Sequence, residues 1–369
     1  MRKANIVRTM LAAGVLGTII VWGPGPAAKS PGQESAKVDF QADFFRLCDV
    51  ACRELNKEPR KPPRHRAFYV DSYVVRALAV AYDVTGEKKY LDACKIWSDR
   101  MLDCQSEMTP KGAYYMNYGR QPGQKKGGWY VADSACVGMA VLATAVRCTD
   151  PAEKNRYLDS VKAFAKLVMD NYVGPAGGIT DGLWATYDGE WWCSSGTFGS
   201  LAFLLYKETA DESYLKVAIG ALDWLNRLDF TKVKHISFEK AAPSVVMYVF
   251  EAHSAAAPYL EAGTERRKAT AAQIAKALKW MSENQCGRGK WDYNTQWGSK
   301  LGGLPFLMYV FARHLGEFKN VASAADRELR HVSGVLFKDR EPPLSQLAAF
   351  AMISYAEKVS PGAIYRKSK

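Results

Sequence analysis

Two aspartates, Asp71 and Asp133, stand 62 residues apart in matching surroundings, Phe-Tyr-Val-Asp-Ser and Tyr-Val-Ala-Asp-Ser. A carboxyl set among apolar and aromatic groups ionises reluctantly, so near neutral pH it can both give and take a proton. That is the requirement for general acid–base work, and both residues are candidate catalytic groups. A second set of acids, Asp181, Asp188 and Glu190, lies in the glycine-rich stretch GGITDGLWATYDGEWW. A glycosidase needs two carboxyls flanking the bond it cleaves, and Asp133 with Asp181 or Glu190 would satisfy this. An Asp at a helix start also has a purely structural use as a cap, so both roles are open for Asp71 and Asp133.

Aromatic and basic residues gather in the same loops. Six of the ten tryptophans are there, among them Trp129, Trp191, Trp192 and Trp297, joined by Tyr69. Flat rings either stack on the C–H faces of sugars or plug the end of a fold. With Ser195 they form the expected sugar-contacting set. Arg64, His65, Arg120 and Lys125 add positive charge, as do the N-terminal ends of the helices that follow. The formal net charge is +12. Together these predict an acidic oligosaccharide or polysaccharide as partner rather than nucleic acid. No zinc-type Cys/His cluster, phosphate-binding glycine loop or GxSxG elbow occurs, so no metal and no cofactor is expected. His253 and His314 fall on apolar helices and read as core residues, and the eight cysteines read mainly as buried thiols.

The elements that must position these groups are legible as a repeat. Residues 68–91, 130–158 and 192–215 each open on an aromatic and a short polar residue. Each then runs through an apolar helix, turns, and restarts at Tyr-Leu. A unit of this length cannot bury its apolar face alone, so its copies must stack. Twelve helices are expected, alternating between amphipathic (40–57, 87–104, 152–172, 211–228, 265–285, 320–337) and apolar nearly all round (69–84, 131–147, 195–208, 242–259, 302–315, 343–358). Helices apolar on every side are buried on every side. The alternation therefore predicts an all-α fold, an (α/α)6 toroid of six hairpins with inner helices ringed by outer ones. Asp71, Asp133 and Ser194/Ser195 are expected to open the first three inner helices, and Pro243, Pro305 and Pro342/Pro343 the last three.

Residues 1–28 have a basic start, an apolar run Thr9–Trp22 of 14 residues, and Gly-Pro-Ala-Ala. This is the pattern of a signal peptide, with an uncleaved N-terminal anchor as the alternative and the one expected membrane contact. Residues 29–37 read as a flexible leader, and 38–369 as a single toroid domain. A secreted or periplasmic location follows.

The FYVDSYVVRALAVAYDVTGEKKYL, YVADSACVGMAVLATAV and WWCSSGTFGSLAFLLYKETADESYL segments resemble inner helices of the unsaturated glucuronyl and rhamnogalacturonyl hydrolases, which are six-hairpin enzymes. The resemblance covers roughly residues 65–230. It implies that Asp133 is the general acid/base that hydrates a terminal 4,5-unsaturated uronyl residue, and that Asp71 holds the sugar. The third and fourth segments depart from that pattern, with Ser195-Gly196-Thr197-Phe198 and Glu239-Lys240-Ala241-Ala242-Pro243. A polysaccharide lyase, an ordinary glycosidase and a non-catalytic glycan binder on the same scaffold are the alternatives.

Overall fold

Helix follows helix along the chain, each outer one handing over to an inner one. The computed structural model describes residues 38–57, 67–115, 129–182, 189–230, 238–283, 298–338 and 341–367, with backbone alone at 238–244 and 281–283. Among them are twelve α-helices: α1 (Phe40–Asn56), α2 (Phe68–Thr85), α3 (Lys88–Ser106), α4 (Val131–Ala145), α5 (Pro151–Asn171) and α6 (Trp192–Thr209), then α7 (Glu212–Arg227), α8 (Phe238–Ala256), α9 (Glu265–Glu283), α10 (Leu304–His314), α11 (Val321–Leu336) and α12 (Gln346–Val359). The described residues contain only isolated bridges, Val173 with Ile179 and Thr180 with Glu190, and no strand. No described helix is long and apolar enough to cross a membrane. Residues 1–28 and 29–37, read above as signal and leader, lie outside the described residues.

The even-numbered helices form the inner ring. Each packs on the next, and α12 returns to pack on α2, closing the circle. The odd-numbered helices lie against them from outside, as α1 does on α2 and α12, and α7 on α6 and α8. This is the (α/α)6 toroid. Inner helices approach so closely that Gly196 of α6 has no room for a side chain, since a Cβ there would lie 2.2 Å from the Tyr248 carbonyl oxygen of α8.

The helix starts differ from expectation in an instructive way. Three outer helices, α1, α5 and α7, carry side-chain caps: Asp39 accepts from Gln41 and Ala42 backbone N–H, Asp150 from Ala152, and Asp211 from Ser213. Inner helices α2, α4 and α6 open instead on Ala67, Tyr130 and Trp191, with no side-chain cap bond. Asp71, Asp133 and Ser194/Ser195 thus lie past the cap position. Pro305 opens α10 as expected. Pro243, however, sits inside α8, and Pro342/Pro343 precede α12, whose cap is Ser345.

Deep on the toroid axis, Arg76 of α2 meets Glu251 of α8 at 2.5 Å, both almost wholly buried. Tyr73 donates to the same carboxylate at 3.1 Å. Tyr365, from the turn Ala363–Tyr365 after α12, closes this end of the barrel, with its ring beside the Arg76 guanidinium and its hydroxyl 2.6 Å from Ser254 Oγ. The seven described cysteines are free thiols, six of them buried, and Cys286 lies outside the described residues.

His253 is a core residue, as its sequence setting suggested. Its ring nitrogens face Val249 O and Asn226 Oδ1, and burial lowers its pKa from 6.5 to about 4. The folded value lies below the unfolded one. Stability from the neutral ring is therefore complete above pH 6.5 and lost as pH falls toward about 4. His253→Gln should flatten that slope, worth about 3 kcal/mol across the window, when urea midpoints are compared at the two ends.

Candidate active site

The N-terminal ends of α2, α4 and α6 and the turn before α10 meet at one end of the toroid axis. The glycine-rich loop between α5 and α6 organises two of these starts. Its Asp181 carbonyl takes the Val131 N–H of α4 at 2.9 Å, in place of a cap. Trp191 N–H bonds Ile179 O at 2.8 Å, while Ser195 Oγ accepts from Ile179 N–H at 2.8 Å. Ser195 is wholly buried by this duty. Glu190 is likewise turned into its own loop, accepting from Ala176 N–H at 2.7 Å.

The inner segments present a ring of side chains to the axis: Tyr69 from α2, Asp133 from α4, Cys193 from α6, Tyr248 from α8, Lys300 from the turn Gly298–Gly303, and Phe350 from α12. Tyr69 and Tyr248 meet edge to face at 6.3 Å. Lys300 Nζ lies 6.0 Å from the Tyr69 ring, 5.7 Å from Tyr248 and 5.6 Å from Phe350, within range of cation–π attraction. Burial, and then the charge of Asp133, lift the Tyr69 hydroxyl and the Cys193 thiol above their ordinary values. Burial pulls the Lys300 ammonium down to about 8, with Cys193 and Asp133 pulling the other way.

Asp133 is the one residue of α4 that is not buried. A helix otherwise buried along its length leaves a single carboxylate half-buried, in its first turn, where the helix dipole favours negative charge. Asp71 is placed differently. Tyr69 and Tyr73 face the axis, and Asp71 lies two residues from each, about 200° of rotation at roughly 100° per residue. The register expected to pair Asp71 with Asp133 instead brings Tyr69 to Asp133. The physical reason is that α2 starts one residue earlier than α4 relative to the matching sequences.

The aromatic candidates are more deeply set than a stacking platform requires. Trp129 is wholly buried, edge-on to Tyr172 at 5.3 Å, and Trp192 and Tyr69 are buried too. Trp191 is partly exposed, its ring 5.6 Å from that of Trp192. Asp181 is wholly buried. Arg64, His65, Arg120, Lys125, Trp297 and Asp188 lie outside the described residues. Sequence reasoning missed Lys300, although a signal was present: it is the lone charge between Gly298 and Ala312. Among the described residues no His, Cys, Asp and Glu group is arranged to hold a metal ion.

Comparison with known proteins extends this picture. Residues 53–243, from the end of α1 into α8, match the model of glycosyl hydrolase family 76. A search of the curated proteins found no match. Among solved structures, the chain is similar to the family 76 α-1,6-mannanase of a Salegentibacter species, at 14% identity and TM-score 0.61, covering 87% of this chain and 99% of that one. An inactive variant of that enzyme, with two adjacent aspartates replaced by alanine, was solved with α-1,6-mannotetrose and matches with TM-score 0.60, again at 14% identity over 87% and 99%. A family 76 mannosidase from Bacteroides thetaiotaomicron matches at 13% identity and TM-score 0.56, over 87% and 98%. At these identities the structural likeness shows the fold. The family match corrects the resemblance drawn from the inner helices: it supports the six-hairpin superfamily but not the unsaturated glucuronyl hydrolases as nearest relatives. With more than half of its residues matching that model, the chain belongs to glycosyl hydrolase family 76, and is a carbohydrate-active glycoside hydrolase on the (α/α)6 toroid scaffold.

Proposed function

We propose that this hydrolase cleaves a mannan-type glycan at the axial end where α2, α4 and α6 begin, with Asp133 as its reacting carboxylate. The observation that carries the reading is that Asp133 alone on α4 is not buried. The mannanase and mannosidase among its structural neighbours favour an α-linked mannose chain as substrate. Glycoside hydrolysis calls for a second carboxylate. Asp181, wholly buried in the loop that leads into α6 and bearing with Asp133 on the Cys193 thiol, is the described candidate for it. Glu190 is committed to Ala176 and drops out.

A second reading has its own support. The Salegentibacter enzyme was inactivated at two adjacent aspartates, whereas this chain has no such pair anywhere in its 369 residues. Asp133 is followed by Ser134, which is buried and donates to Tyr114 O at 3.1 Å. Hydration of an unsaturated uronyl group needs one carboxyl acting as acid and then base, and the surplus of 12 positive charges suits such an acidic sugar. Export is part of either reading, supported by the basic start and apolar run within residues 1–28.

Incubation with α-1,6-mannotetrose and, separately, with an unsaturated uronyl disaccharide decides between them. Shorter mannose products are expected under the first reading. Loss of the ultraviolet absorbance of the conjugated double bond, with no attack on mannotetrose, would replace it by the second. Gain of that absorbance on a polyuronate would mark a lyase instead, and binding without product on any glycan would overturn both readings.

A further inference from the structure

The far end of the toroid, where α4 and α6 finish, holds positive charge that neither the family match nor the sequence pattern explains. We propose that a small tetrahedral oxyanion, phosphate or sulfate, free or as a terminal ester, binds there in a cleft between the ends of α4 and α6 and the segment after α12, held by Lys207, Arg366 and Lys367.

The cleft has an apolar wall, with Leu142 and Val146 at the end of α4, Leu204 on α6 and Ile364 in the turn after α12. Arg147, Lys207, Arg366 and Lys367 also line it, with Glu208 as the one acid. Its enclosed part is about 10 Å³, room for a single oxygen-sized group, and the rest opens to solvent. Such a space takes one oxygen of a compact anion and is too small for a sugar ring.

Following each charge to its partner shows which are left over. Arg147 is fully engaged: Nε and Nη2 meet Asp83 at 3.1 and 2.6 Å, while Nη1 donates to Ala143 O and Nη2 to Ala363 O, both at 2.9 Å. Asp83 also takes Arg366, so one carboxylate serves two guanidinium groups. Glu208 is held by Lys154 of α5 at 2.9 Å, and the neighbouring Arg313 is answered by Glu357. Lys207 donates to a neutral group, the Tyr365 carbonyl, and Lys367 is exposed. Neither lysine has a carboxylate partner among the described residues. The carbonyl ends of α4 and α6 favour cations here too, but Arg147 and the Thr209 hydroxyl already serve them, at Ala143 O and Leu205 O. Burial, then Arg313 and Lys367, lower the Lys207 pKa. That is the direction of an amine among like charges, opposite to that of one in an ion pair.

A doubly charged oxyanion relieves this repulsion. It also ties α6 to the segment after α12, since Lys207 belongs to the first and Arg366 and Lys367 to the second. Binding therefore stabilises the folded protein. The inference is independent of the functional reading.

Full-length protein carrying 13Cε-lysine is titrated by NMR with inorganic phosphate, inorganic sulfate and mannose 6-phosphate, each against sodium chloride at equal ionic strength. The signals of the two lysines are those missing from Lys207→Gln and from Lys367→Gln. Both should shift saturably with inorganic phosphate, with a Kd of about 1 mM or tighter, and the thermal midpoint should rise alongside. Each Gln variant should weaken binding by about tenfold, while Lys207→Arg should retain it. Asp133→Asn should bind as the wild type does, because Asp133 stands at the other end of the helices. Binding of mannose 6-phosphate as well as phosphate would bear the proposal out with an ester on a sugar as ligand, and binding of the inorganic ions alone would bear it out with the free ion. Shifts no larger than those with sodium chloride would overturn it. So would full-strength binding in Lys367→Gln, an exposed change that keeps the test open if Lys207→Gln fails to fold. Loss of binding in Asp133→Asn would place the anion at the catalytic end and overturn it too.

Discussion

Asp133→Asn should lower kcat/KM on the cleaved glycan by about 10³-fold, the ordinary contribution of a positioned proton-transfer group, while leaving the toroid folded. The substitution keeps the shape of the side chain, removes its charge and its ability to carry a proton, and touches a half-buried position. Loss of a negative charge from a helix's first turn costs about 0.3–1 kcal/mol. Circular dichroism and the denaturation midpoint should therefore barely change. Turnover within a few-fold of wild type would remove Asp133 from the chemistry. The same measurement on Asp181→Asn tells whether the reaction needs a second carboxylate: under the mannan reading that variant also loses activity, under the hydration reading it does not.

The second large effect concerns the barrel's interior. Glu251→Ala should destabilise the fold by about 3–5 kcal/mol, because breaking a buried pair leaves an uncompensated charge behind. Arg76 is wholly buried. Burial works against its charge and Glu251 more than offsets that, holding it firmly protonated. Its Nε and Nη2 find no hydrogen-bond partner among the described residues, where Glu251 and the Tyr73 and Tyr365 rings carry most of its compensation. Replacing both charges, as Arg76→Met with Glu251→Leu, should recover most of the loss, since well-packed apolar residues often match a buried ion pair. Urea denaturation of the single and double variants tests this. A single-variant loss below about 1 kcal/mol would mean that water reaches the pair.

The architecture was legible because burial leaves a strong mark on helices. A segment such as Val131–Ala145, apolar on all sides, has no reading other than an inner helix, and its alternation with charged-face helices gave the ring. Helix starts were harder to read. Asp71 and Asp133 looked like caps, yet the cap positions belong to Ala67 and Tyr130, because the loop carbonyl of Asp181 does the capping work at α4. Pro243 looked like a first-turn residue, but α8 runs back to Phe238 and so carries it inside the helix.

The site was legible where it depended on residue type and obscured where it depended on rotation. Asp133 stood out as a carboxylate in an apolar run, and it does lie at the axial end. Asp71 matched it by counting residues, but a shift of one position turns a helix by about 100°, and Tyr69 took the axial place. Lys300 escaped notice because its segment is a tight 3₁₀ turn, where the repeat's register no longer applies. Of the aromatic candidates that are described, Trp129, Trp192 and Tyr69 are buried instead of lining open space, and Tyr69 and Trp192 belong to helix first turns, not to loops.

The packing of α12 on α2 joins residues near opposite ends of the sequence, and this has a consequence for biosynthesis. During translation, five inner helices with no polar side emerge before the one that completes their enclosure. Until then their sticky flanks have only incomplete partners, and contacts between such distant segments form slowly. The nascent protein is thus exposed to clumping until synthesis is nearly finished, so its yield in a cell should depend on chaperone supply more than the stability of the finished molecule suggests.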